Sequence, residues 1–381
     1  MTTLPLTRDA CAALDATDSL AAFRSRFTLP DGVIYLDGNS LGVLPAATPA
    51  RLAQVIREEW GSGLVRSWNS AQWIDLPQRL GDALAPLIGA AAGTTRVCDS
   101  TSVNLFKLLA AALALRPGRK VIVSEADNFP TDLYMAEGLA SLLNQQHELR
   151  LVATDDLEVA LDEDVAVLML SHVNYRTGRL HDMAAVTAAA HAQGALVLWD
   201  LAHSAGALPV DLTTAQADFA VGCGYKYLNG GPGAPAFLYV APAHHAQLIA
   251  PLSGWFGHAQ PFAFERGYRP AAGVDRLLVG TPPVLSMAAL EVGIKLMAEA
   301  DLQALRRKSL RMSALFAARV ERELGDFGLR LVSPREDAQR GSQVCFAHLD
   351  AWPVMQALIA RGVIGDFRAP DILRFGFTPL Y

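Results

Sequence analysis

The chain has 381 residues, too many for one compact core, and points to about two domains. Hydrophobic residues make up 51% and charged residues 18%, the balance of an ordinary globular protein, which excludes wholesale disorder. A net charge of −6 without a basic block argues against nucleic-acid binding and against a polybasic membrane anchor.

The N-terminal stretch MTTLPLTRDACAALDATDSL carries early acidic residues and no continuous apolar run, so it does not read as a signal peptide. Cys11, Cys98, Cys223 and Cys345 lie far apart without a CxxC pair, so neither a zinc site nor a disulfide framework is expected. Buried reduced thiols in a cytoplasmic protein fit better. The segment DSTSVNLFKLLAAALALRPG predicts a helix from near Ser102 to Gly118. Its most apolar part, from Leu105, contains Lys107 and is too short to span a bilayer. Read alone, the Ser and Thr at its start are helix caps; the alternative is that their hydroxyls and the helix N–H groups face a phosphate.

Six short apolar runs follow and read as buried parallel strands: KVIVSEA from Lys120, LRLVAT from Leu149, VAVLMLSHV from Val165, ALVLWD from Ala195, FAVGCGY from Phe219 and PAFLYV from Pro235. Alanine-rich helical patterns separate them, the clearest being DMAAVTAAAHAQG, with Asp182 as N-cap and Gly194 as stop. Repeated strand–helix–strand units predict an α/β domain with a mostly parallel sheet. From about Arg276 the pattern turns helical and then alternates in LRLVS and QVCFAHL, which predicts a smaller α+β domain. The expected division is an N-terminal arm at 1–45, a large domain at 46–275 and a small C-terminal domain at 276–381.

Within VGCGYKYLNGGPG, Lys226 stands between two tyrosines after an apolar run. The default for a strongly hydrated ammonium is a surface loop. Active sites of open α/β sheets, however, lie at the carboxyl ends of the strands. There the sequence places Asp200 with His203, Ser171, Tyr225 with Lys226, and Phe129, Thr131 and Asp132 after KVIVSEA. A lysine amine, a carboxylate, an aromatic face and a hydroxyl-rich helix start form the set that holds pyridoxal phosphate. No metal site is expected.

Asp-x-x-His at Asp200 and His203, followed by Lys226 before a glycine-rich turn, resembles the fold-type-I pyridoxal-phosphate enzymes of the aminotransferase class V branch. These motifs leave aminotransferase, desulfurase and lyase open. The segments IYLDGNSLG (Ile34 to Gly42), RSWNSAQW (Arg66 to Trp73), NFPTDLYM (Asn128 to Met135), WDLAHSAGALPVDL (Trp199 to Leu212), GYKYLNGGPG (Gly224 to Gly233), PLSGWFGH (Pro251 to His258) and RFGFTPLY (Arg374 to Tyr381) together resemble the kynureninase family in its bacterial form, in order along nearly the whole chain.

The resemblance implies a pyridoxal-phosphate hydrolase that cleaves the Cβ–Cγ bond of L-kynurenine to anthranilate and L-alanine, in tryptophan catabolism and NAD biosynthesis. Lys226 is then the Schiff-base lysine and the Cα base, Asp200 the partner of the pyridinium nitrogen, and Tyr225 a proton donor or relay. Phe129 stacks on the ring, with Thr131 and Asp132 in the same loop. Thr101, Ser102, Ser171, His203 and Tyr225 match cofactor contacts, several at the phosphate. Trp255 and Thr281 match positions that reach the neighbouring subunit's site, which implies a homodimer. Arg374 would clamp the substrate α-carboxylate, and Trp68 and Thr281 would touch its ring. The other readings are a class V aminotransferase or desulfurase and a non-catalytic protein of this fold. No cysteine sits in an evident catalytic loop, and Lys226, Asp200 and Arg374 are all present. Family members usually run a few helical turns beyond RFGFTPLY, so a truncated chain and a naturally short one are both expected forms.

Overall fold

The computed structural model describes residues 7–144 and 146–381. Its central sheet has seven strands, ordered from one edge as Thr95–Val97, Ala236–Val240, Phe219–Cys223, Leu196–Asp200, Val165–Ser171, Val121–Glu125 and Glu148–Val152. The last five pair in parallel.

Two departures from the sequence reading concern the near edge. Ala236–Val240 runs antiparallel to Phe219–Cys223, not parallel as expected. The chain between them is the short Lys226 turn with no crossover helix, and without one a strand can only return antiparallel. Thr95–Val97 was not predicted, and three residues are too few to show a pattern.

The central strands are apolar along most of their length because both faces are covered. Val123, Leu168, Leu170, Val197 and Trp199 face one core, with Leu80, Leu84, Met287 and Leu290 of the helices Leu76–Leu84 and Val284–Ala298. Their neighbours Ile122, Val167, Met169, Leu196 and Leu198 face the other, with Leu105, Leu108 and Leu133 of the helices Thr101–Leu115 and Pro130–Leu143. Asp182 caps Met183–Ala192 through Ala185 N–H at 3.0 Å, as the sequence predicts.

The C-terminal helical texture resolves into Val284–Ala298 and Leu302–Leu324, split at Asp301, whose carboxylate accepts from Gln303 and Ala304 N–H. A second, antiparallel sheet orders Arg330–Leu331, Gln343–Ala347, Ile372–Gly376 and Asp366–Arg368. The N-terminal segment reaches this end of the molecule. Ile34–Tyr35 pairs in parallel with Val363–Ile364, and Asp37 bridges to Gly376.

Candidate functional site

A cavity of about 230 Å³ opens at the carboxyl ends of the parallel strands. Strand Leu196–Asp200 delivers Asp200 to it and the next turn His203. Strand Phe219–Cys223 delivers Tyr225 and Lys226, and Val165–Ser171 ends in Ser171. The helix Pro130–Leu143 brings Thr131 and Asp132, preceded by Phe129. Thr101 and Ser102 line the opposite wall. All ten residues expected at the strand ends and the first helix therefore meet in one space, although they come from distant parts of the chain.

The helix Thr101–Leu115 starts one residue earlier than predicted. Its cap is Ser100, which accepts from Val103 N–H at 3.3 Å. With the cap supplied there, the hydroxyls of Thr101 and Ser102 and the first helical N–H groups remain available to an anion in the cavity.

Lys226 enters on a turn that only glycine permits. Gly42 donates its N–H to Tyr225 O at 2.8 Å, and a Cβ at Gly42 would lie 2.3 Å from Lys226 O. Below the lysine sit two carboxyl groups. Asp200 is buried and accepts from Ala202 N–H at 2.8 Å. Burial pushes both acids up, and Asp132 is pushed well above the usual carboxylate range because the Asp200 charge adds to its desolvation. Lys226 and the Ala202 N–H pull Asp200 back. The pair thus holds its proton on Asp132 and its charge on Asp200. Asp132 Oδ2 is buried without a hydrogen-bond partner among the described residues.

His203 is held well below its ordinary value by burial, then by the charges of Lys226 and Arg374, and stays neutral. Its Nδ1 lies 2.9 Å from Gln343 Oε1, and Gln343 Nε2 donates to the carbonyls of Asn174 and Tyr175. Burial also raises the Tyr225 phenol, which keeps its proton. Phe129 turns an edge to Tyr175, ring centroids 5.3 Å apart at 82°. Ser171 donates to Asn128 Oδ1 at 2.7 Å, and Asn128 donates to Ser124 Oγ at 3.0 Å.

The remaining expected residues lie outside this cavity. Trp68 packs edge-to-face on Trp255 at 5.8 Å, in an aromatic group with Trp73, Phe256 and Phe262. Thr281 is exposed and lines a small separate hollow beside Gly280 and Pro282. Arg374 is buried in the second sheet. It donates to Tyr175 O and Ser40 Oγ, each at 2.8 Å, and pairs with Asp366. The sequence reading missed Asn128, Gln343, Ser40 and Asp366. Asn128 and Ser40 stand inside quoted motifs; Gln343 and Asp366 leave no local signal.

The donor set fits pyridoxal phosphate. The cavity offers one amine, one buried carboxylate beside an acid with an unused oxygen, an aromatic ring, and a hydroxyl-bearing helix start.

Residues 305–381 match the family described as the kynureninase C-terminal domain. A kynureninase of Pseudomonas fluorescens is 58% identical over 380 residues, covering 98% of this chain and 91% of that protein. Among solved structures, the apo cysteine desulfurase of Thermococcus onnurineus NA1 superposes with a TM-score of 0.77 at 20% identity, covering 94% of this chain and 93% of that one. A C-DES variant with glycine covalently linked to its pyridoxal-phosphate cofactor gives 0.80 at 18% identity, covering 93% and 94%. At such identities these likenesses establish the fold, that of the fold-type-I pyridoxal-phosphate enzymes.

Proposed function

This chain belongs to the kynureninase family, and on that premise we propose how its residues divide the work of hydrolysing L-kynurenine to anthranilate and L-alanine with pyridoxal phosphate. Bound in the cavity, the cofactor supplies a protonated pyridine ring that accepts the electron pair released from the substrate. Lys226 provides the amine that holds the cofactor and, once displaced, the base that moves the Cα proton. Asp200 keeps the pyridine nitrogen protonated, and neutral Asp132 keeps the charge on Asp200. Phe129 would stack on the ring, with Thr131 in the same loop. Thr101, Ser102 and the helix N–H groups bind the phosphate. Ser171 and neutral His203 donate or accept without adding charge.

The reaction adds water across Cβ–Cγ: hydroxyl goes to the aryl carbonyl carbon and a proton to Cβ. Tyr225, held in its protonated form, is the donor or relay for that proton. Arg374 holds the substrate α-carboxylate in a charge-assisted contact. Trp68, Trp255 and Thr281, which stand apart from their own chain's cavity, serve the site of a second copy in a homodimer. The enzyme works in the cytoplasm, in tryptophan catabolism and the supply of NAD precursors.

The observation that carries this reading is the placement of Lys226 and the Asp132–Asp200 pair in one cavity at the carboxyl edge of the sheet. The test is product analysis: holoenzyme with L-kynurenine should release equal amounts of anthranilate and L-alanine. Release of neither, from protein with the cofactor's visible band, would refute it. Light scattering on the same protein checks the dimer; a monomeric mass with full activity would overturn the shared site.

A further inference from the structure

The motif IYLDGNSLG contains an acid that the proposed chemistry does not use. Asp37 follows strand Ile34–Tyr35 and bridges to Gly376, next but one to Arg374. Its Oδ1 is buried with no hydrogen-bond partner among the described residues. Around it lies a compact group of charges. Asp366 and Arg374 are direct cross-strand partners in register. Asp366 Oδ2 also takes Arg368 at 2.7 Å and the Ser40 hydroxyl at 3.1 Å. Arg374 thus has Tyr175 O, Ser40 Oγ and Asp366 on its terminal nitrogens, while its buried Nε has no partner among the described residues.

Two arginines and two aspartates balance. Arg374 is already matched by Asp366, so an incoming carboxylate brings a surplus negative charge into a partly buried setting. Uncompensated charge in such a setting is costly, and the usual relief is a change of protonation. The other groups around Asp37 are engaged in contacts or already hold a proton. Asp366 is engaged by both arginines and Ser40; Tyr35, Tyr227 and Tyr381 are phenols already protonated. The contacts of Asp366 all fall on its Oδ2, whereas Asp37 Oδ1 is buried without a hydrogen-bond partner among the described residues, in a place where it can take the proton.

We propose that Asp37 takes up a proton when a carboxylate docks on Arg374, so that the enzyme binds the substrate α-carboxylate together with one proton. Asp37 is a positioning residue in this scheme and touches no reacting atom. The inference rests on the reading of Arg374 as the carboxylate clamp. Burial, then the Asp366 charge, push the Asp37 carboxyl up to about 6, against the pull of Ser40, Arg374 and Arg368. A second carboxylate nearby must push it further, and by reciprocity protonation must tighten carboxylate binding. Affinity then falls as pH rises above about 6, by at most about tenfold per pH unit for one linked proton.

The probe is L-alanine, the product that carries the same α-carboxylate, titrated calorimetrically into wild-type holoenzyme in buffers of different ionisation enthalpy. KM for L-kynurenine is followed over the same range. Wild type should take up as much as one proton more than Asp37→Asn, and its KM should climb with pH while that of Asp37→Asn stays nearly flat. Asp37→Glu should restore the climb. Asp37→Asn should keep the cofactor's visible band. Equal proton uptake and equal KM slopes in wild type and Asp37→Asn would overturn the proposal. If Asp37→Asn fails to fold, wild-type KM that does not rise between about pH 6 and 8 overturns it alone. Arg374→Ala separates the two readings. Should it bind L-alanine as wild type does, the clamp itself is wrong. Should it lose L-alanine while Asp37→Asn keeps the wild-type slope, only the proton coupling fails.

Discussion

Asp132 and Asp200 meet as one buried carboxyl pair below Lys226, with the proton on Asp132 and the charge on Asp200. The asymmetry has a physical source: Asp200 accepts from Ala202 N–H and is pulled down by Lys226, whereas burial and the Asp200 charge both push Asp132 up. The two acids should therefore respond differently to amidation. Asp200→Asn removes the charge proposed to keep the cofactor nitrogen protonated and should lower kcat by about 100-fold or more. Asp132→Asn resembles the state already present and should cost far less. Single-turnover rates for both variants decide it; equal losses would mean that the proton is not localised as described.

Lys226→Ala should abolish turnover and remove the visible absorbance of the cofactor after dialysis. A dialysed variant that retained a normal band and activity would transfer the covalent role to another amine.

Arg374→Ala should raise KM for L-kynurenine by about 10- to 100-fold, since a charge-assisted contact contributes about 1.5–3 kcal/mol. The same change leaves Asp366 with Arg368 and the Ser40 hydroxyl. Unchanged KM and kcat would make Arg374 a purely structural residue.

Substrate choice tests Trp68 and Thr281. Trp68 offers a broad apolar face and Thr281 a short side chain, so a ring hydroxyl would be desolvated without compensation. Wild type should prefer L-kynurenine to 3-hydroxykynurenine. Trp68→His with Thr281→Asn should shift the kcat/KM ratio toward the hydroxylated substrate, and only together, because both would touch one ring. An unmoved ratio in the double variant would show that these residues do not read the ring.

Far from the cavity, Asp218 ties three elements together. It accepts from His191 Nε2 at 2.8 Å, His244 Nε2 at 2.7 Å and Val197 N–H at 2.8 Å. Burial alone would raise its carboxyl, but the two histidines overcome this and hold it low. The Asp218 contact in turn raises His191. The stability from Asp218 is present above its unfolded value of 3.8 and is lost as pH falls through its lower folded value. That from His191 is complete below its unfolded value of 6.5 and is lost as pH rises through its higher folded value. Asp218→Asn should thus destabilise by about 3 kcal/mol, most at mildly acidic pH and less in alkali. Urea unfolding of both proteins at several pH values measures the difference; a pH-independent gap would remove the ionic part of the argument.

Much of the site was readable before any coordinates. Lys226, a surface-loop lysine by default, stands out because it follows an apolar strand and has Asp200 on the preceding strand, and Asp200 because a carboxylate closes an otherwise apolar run. The Asp182 cap and the parallel strands were readable because each depends on a few consecutive residues. The sequence predicts the helix start near Ser102 rather than at Ser100, because serine caps equally well at either position and only the backbone angles choose between them.

The sequence by itself determined the elements and the chemical kinds of group at the strand ends, because hydrophobic period and residue type are local properties. Tertiary structure alone decided which of those groups carry charge and which are bound to one another. Desolvation and Coulomb interaction depend on distance through space, and Asp132 and Asp200, or Ser40 and Arg374, are far apart in the chain. The same reason explains the antiparallel return of Ala236–Val240 and the Asp366 partner of Arg374: neither follows from the residues beside them, only from where the folded chain brings them.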